Sequence, residues 1–488
     1  MILKELLQEL DYEIIQGNTE IEVNNVNYDS RKIKAGDMFI CIKGYSSNGH
    51  DYVKAAIKNG AKVIVCQDMV EAEENITIIK VKDTRYAMAI ISAAYFGNPA
   101  KKLKIIGVTG TKGKTTTTYM IKSMLQAAGF KVGLIGTIET IIGEKHIPAE
   151  NTTPESFVIH EYFNEMVKAG IDCVVMEVSS QGLMLHRTAG IEFDFGIFTN
   201  ISPDHIGPNE HKDFQEYINC KGMLFKQCKV GIVNSDDKRY EDVIKGHTCK
   251  IETYGLNEKA DLRASNIELI KGAGFLGIKY KLSGLLNNEV SVDIPGKFSV
   301  YNSLTAIAIA RHFNINMELV IKALKEIKVK GRVEIIPISK EFTLMIDYAH
   351  NAMSLESILT TLKEYNPSRL VCLFGCGGDR SKLRRFEMGE VSGKLADLTI
   401  ITSDNPRTEE PQAIIDDIKV GIGKTSGKYV EILDRKQAIK YAIENAKHGD
   451  VIVLAGKGHE DYQILNSGKI HFDEREVISD IVKELQLK

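Results

Sequence analysis

Hydrophobic residues recur along this chain in short runs, separated by stretches with helical spacing. Runs at Ile105–Val108, Val132–Ile135, Cys173–Val178, Phe193–Thr199 and Val230–Val233 have few polar interruptions, which predicts strands buried on both faces. Between the first two, Ile121, Met124, Leu125 and Ala128 recur at i, i+3, i+4 and i+7, the spacing of an amphipathic helix. Such alternation from about residue 103 to 330 predicts a mainly parallel sheet with helices on both faces. A second series begins near Gly331-Arg332, with runs at Thr343–Asp347, Leu370–Phe374, Leu398–Thr402 and Val451–Ala455, and predicts a doubly wound unit. Near the start, Asp37–Ile42 and Ala61–Cys66 read as two strands flanking a helix. Asn98-Pro99 reads as a linker, because proline pushes its predecessor out of helix. The fold class is α/β, in three domains: residues 1–100, a small α/β domain; 101–330, a central P-loop-type domain; 331–488, a Rossmann-like domain.

One segment stands out within this pattern. Val108-Thr109-Gly110-Thr111-Lys112-Gly113-Lys114-Thr115-Thr116 joins a predicted strand to a predicted helix. Backbone N–H groups of such a loop face nucleotide phosphates, and the helix N-terminus adds partial positive charge. Lys114 reaches the outer phosphates and the Thr115 hydroxyl suits Mg²⁺. The usual Walker spacing wants a glycine where this chain has Val108.

Composition narrows the partners. The chain has 488 residues, 43% hydrophobic and 26% charged, with net charge −3. That length exceeds what one core sustains and favours about three domains. The near-balanced charge gives no reason to expect nucleic acid. No apolar run reaches the roughly 18 residues of a membrane span. The N-terminal Met1–Leu7 stretch is amphipathic and lacks the make-up of an export signal, so a cytoplasmic protein is expected. Eight scattered cysteines, Cys372 and Cys376 being the nearest pair, read as reduced core thiols rather than a metal site.

Polar clusters follow several predicted strands, where parallel α/β sheets bind ligands. Glu177 and His205, each at a strand end beside the phosphate loop, are candidate Mg²⁺ ligands. Lys221, among apolar neighbours in a helical stretch, reads on its own as an ordinary solvated lysine. Further on, Gly375–Arg380, Asp404–Pro411 and Gly456–Glu460 combine arginines, acids and glycines, which suits a zwitterion.

Taken together, these motifs resemble the Mur ligase family, and within it the diaminopimelate-adding branch, over essentially the whole chain. The likeness rests on Asp29-Ser30-Arg31, Gly110–Thr116, Asn151-Thr152-Thr153-Pro154, Met176–Leu183, Ser202-Pro203-Asp204-His205, Tyr301-Asn302, Gly331–Glu334, Asp347–His350, Asp404–Pro411 and Gly456–Glu460. The resemblance implies a UDP-substrate domain, an ATP-binding domain and an amino-acid-binding domain. It implies that ATP and Mg²⁺ activate a peptide carboxylate as an acyl phosphate, which the acceptor amine attacks. Lys114, Glu177, His205 and Lys221 would carry the catalysis, Lys221 as a carbamate that, with Thr115, Glu177 and His205, holds metal. Gly110, Thr111, Lys112, Gly113, Lys114, Thr115, Thr116, Asn302, Arg332 and Asp347 would bind nucleotide. Ser30, Asn151, Thr152, Thr153, Ser179 and Arg187 match positions for UDP-N-acetylmuramoyl-L-alanyl-D-glutamate.

Arg380, Asp404, Asn405, Pro406, Arg407, Gly456 and Glu460 match positions for the acceptor. An arginine at Arg407 pairs with the far carboxylate of meso-diaminopimelate and repels lysine, so diaminopimelate is expected. A monomer is expected. The chain departs from the family at Asn351-Ala352-Met353 and Arg384-Arg385-Phe386, both assigned to the nucleotide side. Alternatives are the same ligase adding L-lysine, a folylpolyglutamate-synthase-like ligase, and a P-loop regulator without ligase activity.

Overall fold

A computed structural model describes residues 1–45, 47–272 and 274–486. The backbone divides into two compact units, Met1–Asp261 and Leu262–Lys488.

The first unit holds two sheets. One comprises β1 (Tyr12–Gln16), β2 (Val26–Asn27), β3 (Met38–Ile40), β4 (Val63–Cys66) and β5 (Thr77–Val81), in the order β1-β5-β4-β3-β2. Its two expected strands are β3 and β4, with helix Val53–Lys58 between them. β1 is mostly exposed and β2 only two residues long, so neither left a clear pattern, while β5, buried at four of its five positions, went unread. Asn98 adopts φ +54, and a 3₁₀ turn, Pro99–Lys102, leads onward.

The second sheet of this unit contains β6 (Lys104–Thr109), β7 (Val132–Ile135), β8 (Glu139–Ile142), β9 (Lys145–Pro148), β10 (Cys173–Glu177), β11 (Phe193–Phe198), β12 (Cys228–Asn234) and β13 (Lys250–Gly255). They lie in the order β13-β12-β11-β6-β10-β7-β8-β9. Strands β13 through β7 of that order are parallel, while β8 and β9 fold back antiparallel. Every residue of β10 is buried, as helix-covered parallel strands require. Helix Lys114–Ala127 buries Ile121, Met124 and Leu125, the face expected from their spacing. In this order β11, β6 and β10 are neighbours, with Phe198 paired to Thr109 and Glu177 to Val108. The loops leaving these three strands therefore emerge side by side.

The second unit opens with β14 (Leu262–Gly272), β15 (Phe275–Gly284) and β16 (Asn288–Val292), an antiparallel meander followed by helices Lys297–His312 and Met317–Glu326. This corrects the strand–helix alternation expected as far as residue 330. The first half of β14 buries alternate residues, Leu262 and Ala264, which is the period of a one-faced strand. Beyond it lie β17 (Glu334–Ile336), β18 (Thr343–Asp347), β19 (Arg369–Phe374), β20 (Leu398–Ile401), β21 (Tyr429–Glu431) and β22 (Asp450–Ala455), in the order β17-β18-β22-β19-β20-β21. All but the β17 pairing are parallel. A hairpin of β23 (Tyr462–Leu465) and β24 (Gly468–His471) follows. All eight cysteines are buried and free.

Candidate functional site

The phosphate loop leaves β6 through Gly110 at φ +146, where an added Cβ would meet the Thr199 hydroxyl at 1.9 Å. No side chain fits there, so glycine is required by both angle and space. Neighbouring loops then lock the segment. Thr199 Oγ1 and Asn200 Nδ2 donate to the Lys112 carbonyl at 2.7 and 2.9 Å, and Lys112 N donates to Asn200 Oδ1. Thr111 N donates to the Asn200 carbonyl, and its hydroxyl lies 3.1 Å from Tyr217 Oη. Thr116 is buried in the first turn of the helix that follows.

Two lysines converge on this loop. Lys114 Nζ donates to the carbonyls of Gly110 and Thr111 at 2.9 and 3.1 Å. Lys221 Nζ donates to the same Gly110 carbonyl at 2.9 Å and lies over the Tyr217 ring. Its residue is 1% exposed, which overturns the solvated-lysine reading. Burial, reinforced by the Lys114 charge, pushes the Lys221 amine well below its ordinary pKa. Burial also lowers Lys112 and raises the Tyr217 phenol to about 12.

On the other side of the loop stands Glu177, 1% exposed at the end of β10. Thr115 Oγ1 donates to both of its carboxylate oxygens, at 3.0 and 3.1 Å. Thr137 N and Oγ1 donate to the same carboxylate at 2.9 and 3.0 Å. The Thr153 hydroxyl donates to the Glu177 carbonyl and accepts from Ser179 N. Arg187 Nη1 donates to the Thr153 carbonyl at 2.9 Å while its other nitrogens hold Glu155.

A cavity of about 160 Å³ brings together Lys114, Asn151, Thr152, Thr153, Ser179, Arg187 and His205. His205 is exposed at φ +54 and pairs with Glu210 at 3.1 Å, so it borders the cavity without touching Thr115 or Glu177. Ser30 is not among the lining residues; it lies in the 3₁₀ turn Ser30–Lys32 and accepts from Asn59 through its carbonyl. Sequence reasoning missed His211, buried in the cavity wall with Nε2 2.9 Å from the Ser180 hydroxyl, and likewise Thr137 and Tyr217. The position of Thr137 just past the β7 run was the one available signal.

In the second unit, the ends of the neighbouring strands β18, β22, β19 and β20 carry the other predicted residues. Burial raises the Asp347 carboxyl, which accepts from Val333 N and Ala349 N at 2.9 Å. The Arg332 guanidinium stacks on Tyr348, 4.6 Å from the ring centre. Asn302 is buried in helix Lys297–His312. Asn351, a departure from the family, caps helix Ala352–Lys363 by accepting from Ser354 N.

The residues expected to meet the acceptor form one network. Gly378 N donates to the Asn405 carbonyl, and an added Cβ at Gly378 would sit 1.8 Å from the Pro406 carbonyl oxygen. Arg407, at φ +55, donates from Nη1 to the Gly378 carbonyl at 2.9 Å. Asn405 Nδ2 donates to Glu460 Oε2 at 2.9 Å. Gly456, at φ +110, begins the turn that carries Glu460. Arg380 is exposed on the loop after β19.

Three buried cations have partners that the sequence did not reveal. Lys457 reaches Asp404 at 3.0 Å. Arg435 donates to Glu474, to the Ala455 carbonyl at 2.9 Å and to the Ser403 carbonyl at 3.4 Å. Arg385, expected on the nucleotide side, instead clamps the acceptor loop through Glu409 and Asp417, at 2.6 and 2.9 Å.

This arrangement has known counterparts. Three family models match in succession: the Mur ligase family catalytic domain over residues 22–104, the Mur ligase middle domain over 108–310, and the Mur ligase glutamate ligase domain over 331–458. The UDP-N-acetylmuramoyl-L-alanyl-D-glutamate–2,6-diaminopimelate ligase of Clostridium perfringens is 47% identical, covering 99% of this chain and all of its own. The ligase of the same name from Clostridium tetani is 46% identical over the same shares. A solved structure of a ligase of that name superposes with a TM-score of 0.75 at 28% identity, covering the whole of both chains. With a phosphate loop, a strand-end acid and an acceptor cluster arranged as described, and relatives matching end to end, the chain belongs to the Mur ligase family.

Proposed function

We propose that this chain is the ATP-dependent ligase that joins meso-2,6-diaminopimelate to UDP-N-acetylmuramoyl-L-alanyl-D-glutamate, releasing ADP and phosphate, in cytoplasmic peptidoglycan precursor synthesis. The reading is carried by the acceptor network, in which Arg407 donates to the Gly378 carbonyl, Gly378 N donates to the Asn405 carbonyl, and Asn405 in turn donates to Glu460. It is supported by full-length likeness to relatives that carry the diaminopimelate ligase name.

In this reading residues 1–100 bind the uridylate end, 101–330 the ATP and 331–488 the incoming amino acid. Lys114 and the N–H groups of Gly110–Thr116 neutralise and orient the transferring phosphoryl group. Asn302, Arg332 and Asp347 are assigned to the nucleotide by family likeness. Asn151, Thr152, Thr153, Ser179 and Arg187 line the cavity beside Lys114 and hold the muramoyl dipeptide, with Ser30 toward its uridylate end.

The donor set near the loop fits Mg²⁺. Thr115 and Glu177 place a hydroxyl and a buried carboxylate within one hydrogen bond of each other, which suits a hard cation. Among the described residues no three His, Cys, Asp or Glu side chains converge, so oxygens from substrate would complete the shell. Lys221 is buried and disfavours its charged form, the condition under which an amine takes up carbon dioxide as a carbamate. His205 would join from its exposed loop. When bound, the cation neutralises charge between phosphates and carboxylate.

The test is ADP formation with and without the UDP-linked dipeptide, with the product followed by mass. Strict dependence on the dipeptide and a diaminopimelate-bearing product are expected. Hydrolysis indifferent to it would favour a regulator, and turnover with a folate substrate would favour the alternative ligase.

A further inference from the structure

Lys457 ends in the interior, at 0% exposure. Its ammonium lies 3.0 Å from Asp404 Oδ1, 3.1 Å from Asn405 Oδ1 and 3.5 Å from Glu460 Oε2, and donates to the Tyr462 carbonyl at 2.7 Å. A buried ammonium persists only when surrounded in this way. Its charged partners are the two acids of the acceptor cluster, so it changes what an incoming ligand meets.

The consequence is a charge balance. The two acids, Asp404 and Glu460, face the cations Arg407 and Lys457, with Arg380 exposed on the neighbouring loop. The far end of diaminopimelate, one carboxylate and one ammonium, is itself balanced. The far end of lysine is a bare cation. Removing Lys457 takes one positive charge from beside both acids and makes the cluster more attractive to that cation.

We propose that Lys457 is a specificity-determining residue: it neutralises one acceptor carboxylate from within, so that the site accepts a zwitterionic end and discriminates against a cationic one. The proposal rests on the acceptor reading above and adds to it a residue that need not touch the ligand.

The experiment measures kcat/KM for meso-diaminopimelate and for L-lysine in the full chain, in Lys457→Met and in Lys457→Met/Asp404→Asn. The KM for ATP and the melting temperature are followed alongside. Lys457→Met is expected to shift the diaminopimelate-to-lysine ratio toward lysine by about tenfold, of the order of one unit-charge interaction at the effective dielectric of a protein site. The KM for ATP should not move. The double variant restores the balance and removes the uncompensated buried carboxylate, so its ratio should return toward that of the parent. An unchanged ratio in the single variant, or a double variant as permissive as the single, overturns the proposal. If Lys457→Met does not fold, Lys457→Gln, which keeps a polar group for the Tyr462 carbonyl, takes its place: a ratio shifted toward lysine supports the role and an unchanged ratio contradicts it. A parent chain that makes no use of diaminopimelate would instead sink the functional reading.

Discussion

Lys221 and Arg407 show how far a residue's role depends on what surrounds it. Lys221 looks solvated in sequence because charged side chains usually are. In the fold, its amine lies over the Tyr217 ring and donates a hydrogen bond to the Gly110 carbonyl. Replacing it with alanine is expected to cut ligase turnover by about a hundredfold or more, as loss of one group supporting the transferring phosphoryl charge through a bound cation would. Added formate or acetate should restore part of that turnover, measured as phosphate release; no rescue would count against the carbamate. Arg407→Ala should abolish use of diaminopimelate while ATP binding, followed by calorimetry, survives. Lost ATP binding would show that Arg407 serves the nucleotide instead.

Strand ends and the helices behind them set the acceptor loops. Arg435 and Glu474 are both completely buried, and Arg435 holds the carbonyls just before Asp404 and Gly456. Arg435→Met leaves Glu474 buried and unpaired, which should cost about 3–5 kcal/mol in chemical denaturation. Arg435→Met/Glu474→Leu should recover most of that stability yet keep a raised KM for diaminopimelate, since the two carbonyls stay unheld. An unchanged KM would mean the pair only supports the core. A second clamp is sensitive to acid. The Arg385 guanidinium beside Glu409 holds its carboxyl at about 2, below the ordinary 4.5. The ionised pair therefore adds stability above pH 4.5 and loses it as pH falls toward about 2. Thermal melts of Glu409→Gln should show a flatter acid limb than the parent; identical limbs would contradict the assignment. Neither clamp was legible in sequence, because an arginine's burial is decided by distant partners such as Glu474 and Asp417. The phosphate loop was legible because its backbone needs Gly110 and Gly113 wherever it occurs.

Over the whole molecule, the parallel strands showed through as uninterrupted apolar runs, while β14–β16 and the edge strands β1 and β2 did not. β14 buries alternate residues only in its first half, β1 is mostly exposed and β2 is two residues long, so their alternation is too short to separate from loop. Nucleotide binding was read from the phosphate loop and the ligase reaction from the family resemblance, while the acceptor came from a cluster some 300 residues later in the chain, from Asp404 to Glu460. No helix among the described residues is long and apolar enough to cross a membrane. The most direct measurement is phosphate release from the full chain with ATP, Mg²⁺ and UDP-N-acetylmuramoyl-L-alanyl-D-glutamate, given meso-diaminopimelate or L-lysine in parallel. Brisk release with diaminopimelate and little with lysine is the predicted result; equal release with both, or none with diaminopimelate, would contradict it.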